Sequence, residues 1–299
     1  MEGKQGMGEM KKRGYAYTDL ACEATDFDGR CEEEVLRLGE GRTVRLLRHW
    51  AHGGGRYVTL FCGRIPSAGE AELDELADVL SDELLRMTAE MVGRVPDASL
   101  RVLVVGLGNA DITPDAIGPG TVRRMTVTRH LKAYDGEMYA ALGCCELAAV
   151  SPGVLGQTGM ESVELVKGAV AHVKPHLVVA VDALAARSCD RLAATIQLSD
   201  GGIGPGAGVG NHRAALDKKT LGCPVLALGV PTVVDSTTLV YDALAQAGMT
   251  EGDFTPALRE VLANGRSFVV SPRDSDRITE LTCVLLARAL DRAFGIEGL

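Results

Sequence analysis

Several short runs of this chain are apolar at nearly every position, and they limit the fold more than any other feature. Arg101-Val102-Leu103-Val104-Val105-Gly106 and Leu177-Val178-Val179-Ala180-Val181 show no alternation of polar and apolar residues. A strand with one wet face alternates, whereas a strand covered on both faces does not. These runs therefore predict buried strands, layered between helices. Residues 71–92 carry Leu73, Leu76, Leu80, Leu84, Met87 and Met91 at helical spacing, with Pro96 expected to end that helix. Residues 120–132 predict a helix and 138–150 contain an extended segment. Thr158-Gly159-Met160-Glu161 matches a capping box opening a helix that ends near Pro175. Further strands are expected at 195–198 and 225–228 and helices at 237–247 and 275–294, with 248–265 a short excursion. Ahead of all these, residues 43–50 and 56–62 are rich in β-formers and joined by Ala51-His52-Gly53-Gly54-Gly55, which reads as a hairpin. The expected fold is α/β: a mainly parallel twisted sheet flanked by helices, with an N-terminal β-hairpin extension. No internal repeat or interdomain linker stands out.

Composition narrows the function classes. The 299 residues suffice for a sizeable core, and 46% apolar with 24% charged is ordinary for a globular protein. A net charge of −9 lacks the electrostatic footprint of a nucleic-acid binder. None of the eight cysteines forms a C-x-x-C pair, so zinc-ribbon and thioredoxin-type readings lack support. Residues 1–14 are polar and charged without an apolar signal-peptide core, and no apolar run reaches the length of a membrane span. The expectation is a cytoplasmic protein with reduced, mostly core cysteines.

Two aspartates draw attention. Asp115 follows the first apolar run within Thr113-Pro114-Asp115, and Asp182 follows the second. Ligands collect at the carboxyl ends of parallel strands, and two carboxyl groups sharing a cleft are the minimum equipment for acid–base hydrolysis. The alternative is that each caps a following helix. Gly106 and Gly108 suggest a dinucleotide turn, but position 111 is Asp where the third glycine belongs, and a glycine turn after a buried strand explains them equally well. His172 and His176 are spaced as metal ligands on a helix, yet Pro175 between them favours a helix end. Ser188 and Cys189 have no evident histidine base. Residues 201–210 hold six glycines, a surface loop or a backbone-lined cleft edge.

Taken in order, these segments resemble one family, the germination proteases of spore-forming bacteria. The match includes Gly55-Arg-Tyr-Val-Thr-Leu60, Val104-Val-Gly-Leu-Gly-Asn109 and Thr113-Pro-Asp-Ala-Ile-Gly-Pro119. It continues through Thr128-Arg-His-Leu131, Pro152-Gly-Val-Leu-Gly-Gln-Thr-Gly-Met-Glu161 and Val181-Asp-Ala-Leu-Ala-Ala-Arg-Ser188. Thr195-Ile-Gln-Leu-Ser-Asp200, Gly208-Val-Gly-Asn211 and Gly229-Val-Pro-Thr-Val-Val-Asp235 follow, and residues 269–294 resemble the family's last strand and helix.

The resemblance implies an endopeptidase that initiates degradation of small acid-soluble spore proteins during germination. It implies an atypical aspartic peptidase with Asp115 and Asp182 as catalytic residues and no cofactor. It also implies a fold similar to the hydrogenase maturation proteases, a homotetramer and a location in the forespore or spore core. A zymogen is implied too: residues 1–19 would be a pro-segment and 20–299 a single peptidase domain. Self-cleavage would fall between Asp19 and Leu20, inside Thr18-Asp19-Leu20-Ala21-Cys22-Glu23, a sequence similar to that cut in the substrates. Candidates for lining the cleft are Gly108, Asn109, Gly156, Thr158, Glu161, Arg187, Gly208 and Asn211. Two departures from the family pattern are Asp111, an added carboxylate, and a short stretch between Leu239 and Val269. Metal-dependent hydrolysis by the same carboxylates and a non-enzymatic small-molecule binding module are the other readings.

Overall fold

A computed structural model describes residues 18–23, 27–39, 41–51, 55–204, 214–264 and 268–295. Among these residues nine strands form one sheet: β1 (Phe27–Arg37), β2 (Thr43–Ala51), β3 (Arg56–Phe61), β4 (Arg101–Gly106), β5 (Glu146–Val150), β6 (Leu177–Ala186), β7 (Thr195–Ser199), β8 (Val225–Asp235) and β9 (Val269–Val270). Their spatial order is β1-β2-β3-β7-β8-β6-β4-β5, with β9 also pairing with β8. The expected mainly parallel sheet is corrected here to a mixed one. β5, β4, β6 and β8 run parallel, while β1, β2, β3, β7 and β9 join antiparallel. The parallel block is the part written in unbroken Val and Leu runs. β1, β2 and β3 follow one another by hairpin returns, which need no crossover helix, while β7 and β9 reach their antiparallel partners through longer connections.

The helices are α1 (Glu70–Val92), α2 (Ile117–Arg124), α3 (Arg129–Tyr134), α4 (Gly136–Leu142), α5 (Leu155–Thr158), α6 (Ser162–Val173), α7 (Lys218–Leu221), α8 (Ser236–Gln246), α9 (Pro256–Asn264) and α10 (Ser275–Ala293). One face of the sheet packs on α1, α2 and α10. Val102, Val104, Val179, Val181 and Leu228 meet Leu76, Leu80, Leu84, Ile117, Leu286 and Leu290 there, all buried. Val44, Leu46, Val58 and Leu60 of β2 and β3 join that same core. The opposite face packs Leu103, Val105, Val178 and Ala180 against Val163 and Val166 of α6. β2 is fastened to α1 by Glu83, a buried carboxylate bonded by both Arg48 and Arg86.

Several expected boundaries move, each for a local reason. The first helix ends at Gly93, which adopts a left-handed φ of 73°, before Pro96 is reached. The helix expected over 120–132 is two helices. Between them the backbone of Thr126 is tied to Asp291 of α10, and Thr128 Oγ1 bonds Cys145 O and Leu147 N beside β5. The capping box lies three residues later than Thr158. Glu164 Oε2 accepts from Glu161 N at 2.9 Å and α6 starts at Ser162, whereas Thr158 ends α5. The 248–265 excursion contains α9.

Candidate active site

β4 ends at Gly106, and the chain turns sharply to set Asp115 beside the sheet. The turn is built on close backbone contacts that only glycine permits. Gly108 has φ +109°, and a Cβ there would stand 2.0 Å from Asp115 O. A Cβ on Gly106 would stand 2.3 Å from Gly118 O, so α2 sits directly on the strand end. These contacts account for the glycine pair without a dinucleotide. Asp115 closes a short 3-10 turn, Thr113–Asp115, with its N–H bonded to Ile112 O at 2.8 Å. Thr232 of β8 donates its hydroxyl to Pro114 O at 2.7 Å, and Thr279 of α10 donates to Thr113 O at 2.9 Å. The Asp115 carboxylate turns back to accept from Asn109 N at 2.7 Å. No side chain caps α2, so Asp115 is not the helix cap it resembles in sequence.

Asp182 is 5% exposed and lies inside β6, which continues to Ala186. It stands one residue beyond the last β4–β6 partner pair, Gly106 and Val181. It therefore projects where β4 has ended but β6 and β8 run on. Its Oδ1 accepts from Ala183 N at 2.9 Å. Across the sheet Asp182 is registered with Gly229 of β8, and Gly229 with Gln197 of β7. Asp115 and Asp182 line one cavity of about 400 Å³, together with Leu107, Gly108, Pro114 and Thr232. A smaller cavity of about 120 Å³ adjoins it. Asp182, Leu184 and Asp19 line both, and Gln197, Ser199 and Gly202 line the smaller one.

The segment from Thr18 to Glu23 is docked at these cavities. Asp19 N donates to Ala185 O at 2.9 Å, and its carboxylate accepts from Ala185 N at 2.8 Å. Leu20, 1% exposed, packs with Leu184, Ala186, Leu192 and Val234. Gln197 brackets the next residues: Nε2 donates to Asp19 O at 3.0 Å and Oε1 accepts from Ala21 N at 2.6 Å. Glu23 is the last described residue of this segment. Its carboxylate accepts from Arg187 N at 2.6 Å and Ser188 N at 3.0 Å, while Arg187 Nη1 donates to Glu23 O at 2.9 Å.

The other sequence candidates spread out. Gly108 lines the larger cavity, Asn109 supplies the N–H to Asp115, and Arg187 holds Glu23. Gly156 and Thr158 belong to α5 and Glu161 precedes α6. From this stretch it is Val154 and Ser162 that line the cavity. Gln157 of α5 does reach the turn, donating to Asn109 Oδ1 and Asp111 Oδ2, both at 2.8 Å. Gly208 and Asn211 lie outside the described residues. His176 Nδ1 accepts from Arg101 N at 3.0 Å, so it serves the β4 edge. Burial pushes the Cys189 thiol up to about 11, which leaves it protonated and a poor nucleophile near neutral pH. Among the described residues no three His, Cys, Asp or Glu side chains cluster as a metal site would require. Among them, too, no helix is long and apolar enough to cross a membrane. Gln197, Thr232 and Thr279 escaped the sequence reading. A glutamine between Ile196 and Leu198 was the signal available for the first.

The family model described as germination protease matches residues 47–248. A germination protease of Clostridium acetobutylicum is 46% identical over 190 residues, covering 64% of this chain and 57% of that protein. One from Caldanaerobacter subterraneus subsp. tengcongensis is 38% identical over 259 residues, 80% of this chain and 78% of that protein. One from Halalkalibacterium halodurans is 36% identical across 97% of this chain and 89% of that protein. The match to the Clostridium protein thus spans little more than half of its length. The family-model match contains the glycine-built Asp115 turn and the whole parallel block of the sheet, and with these relatives it shows that this chain belongs to the germination protease family.

Proposed function

We propose that the chain is an endopeptidase of spores, acting on small acid-soluble spore proteins through Asp115 and Asp182. The observation that carries this reading is one cavity lined by both aspartates, with a peptide segment of the chain docked at its edge. One carboxylate takes a proton from water as the water adds to the scissile carbonyl. The other, protonated, polarises that carbonyl and then protonates the departing nitrogen. A pair sharing a proton exchanges these roles with each cycle and titrates as a unit.

The docked segment supports the zymogen form of the reading, with cleavage between Asp19 and Leu20. It also rationalises a preference for an acidic residue followed by an apolar one. Ala185 N receives the Asp19 carboxylate, Leu184 and Leu192 receive Leu20, and the Arg187–Ser188 backbone receives Glu23. A homotetramer in the forespore or spore core completes the proposal. The test is Asp115→Asn and Asp182→Asn in the full chain, followed by intact mass after acidification or partial dehydration. Wild type should lose residues 1–19 and each variant should keep them. Processing at the wild-type rate in either variant sinks the aspartate pair.

A further inference from the structure

Gln197 sits in the middle of β7, in a strand with every residue buried, and is itself 7% exposed. A buried carboxamide needs partners for both its oxygen and its nitrogen. Gln197 finds them on the docked segment, at Asp19 O and Ala21 N. The partners fix which end is which, because a backbone carbonyl only accepts and a backbone N–H only donates. The NH2 group therefore faces the carbonyl of the Asp19–Leu20 peptide bond, and the C=O group faces the amide one residue past that bond.

Register places this amide opposite Asp182. Gln197 and Gly229 are direct partners, as are Gly229 and Asp182, so all three face the same side of the sheet. Two strand spacings, roughly 10 Å, separate the outer pair. The residue between them has no side chain, and a Cβ there would meet Leu184 at 2.6 Å. Leu184 covers Gly229, and Asp19 lines the smaller cavity with both Asp182 and Gln197.

We propose that Gln197 is a catalytic residue whose Nε2–H group stabilises the oxyanion formed on the scissile carbonyl. The proposal rests on the cleavage reading above. Water adds to the Asp19 carbonyl carbon and loses a proton to one aspartate. The C=O electron pair moves onto oxygen, where Gln197 Nε2 already donates. The pair returns as the C–N bond breaks, and the leaving nitrogen takes its proton from the other aspartate. A donor aimed in advance at that oxygen stabilises the charged intermediate more than the neutral carbonyl, and removing one such donor typically costs about 10²- to 10³-fold in rate.

The experiment follows loss of residues 1–19 by intact mass in the full chain, triggered by partial dehydration at a series of pH values. Gln197→Ala should process about 10²-fold or more slowly than wild type. Gln197→Glu keeps the size and the acceptor but donates only when its carboxyl is protonated. Its deficit should therefore be large near neutral pH and shrink as pH falls into the carboxylic range. This isosteric variant carries the test if the alanine variant melts early. Hydrogen exchange over residues 18–23 reports whether the segment stays docked. Processing of Gln197→Ala within about 3-fold of wild type overturns the assignment, as does a pH-independent deficit that tracks loss of docking. In both cases the aspartate pair is untouched. A wild-type chain that never loses residues 1–19 overturns the cleavage reading, and this assignment with it.

Discussion

Gly108→Ala separates the placement of Asp115 from the stability of the fold. At φ +109° an alanine is strained by about 1–3 kcal/mol. For a domain of this size that is a fall in melting temperature of roughly 2–5 °C. The steric part is more specific. The new Cβ would lie 2.0 Å from Asp115 O and 3.1 Å from its Oδ1, so one side of the turn must retreat by roughly 1 Å or more. The strand side is anchored by Leu107 N bonded to Val181 O at 2.8 Å, so the displacement falls on the Asp115 turn. A 1 Å misplacement of a reacting group can cost about 10²-fold. Two controls bracket the effect. A Cβ on Gly136 meets nothing within 4 Å, so Gly136→Ala should leave both properties alone. Gly118→Ala would press on Leu107 O at 2.3 Å and Val181 O at 2.5 Å, and should unseat α2 with a larger loss of stability. The assay is the rate of loss of residues 1–19 by mass alongside thermal unfolding. A Gly108→Ala chain that processes within about 3-fold of wild type and melts with it would refute the reasoning.

Two further outcomes are expected. Burial alone would raise the Glu83 carboxyl, but the Arg48 and Arg86 guanidinium groups outweigh it and hold the group below its ordinary value. Its contribution is therefore complete above about pH 4.3 and is lost as pH falls through the lowered folded value. Glu83→Gln should cost about 3 kcal/mol in urea titrations at pH 7 and less at pH 3, and an equal loss at both would disprove the ion-pair account. Leu20→Asp places a charge among Leu184, Ala186, Leu192 and Val234, so residues 18–23 should exchange amide hydrogens faster and the cut should slow. Unchanged protection there would show that Leu20 does not hold the segment.

The sequence made the parallel block legible because burial on both faces writes itself as unbroken Val and Leu. It made the two aspartates legible because they follow those runs. β1 was not legible, since Glu32, Glu33 and Glu34 leave it with neither an apolar run nor a polar–apolar alternation. Glu33 and Glu34 in fact pair with Arg45 and Arg48 of β2, and that information lies on another strand. The run-on of β6 through Ala183-Leu184-Ala185-Ala186 was hidden for a similar reason. Those residues have little strand preference of their own and are held by β8 alongside. The role of Gln197 depends on a segment 176 residues away, which no local pattern encodes.

The grip on Glu23 bears on what a cut at Asp19–Leu20 would accomplish. Leu20 and Glu23 lie on the far side of that bond and stay joined to the chain that leads into β1 at Phe27. Cutting would release the acidic half of the docked stretch and leave the apolar and Glu23 anchors on a short leash. A leashed ligand competes at an effective concentration in the mM range, whatever its intrinsic affinity. Substrates sharing the same recognition pattern would have to displace it. The freshly cut protein would then discriminate against weak substrates, because vacating the groove becomes a contest decided by substrate concentration.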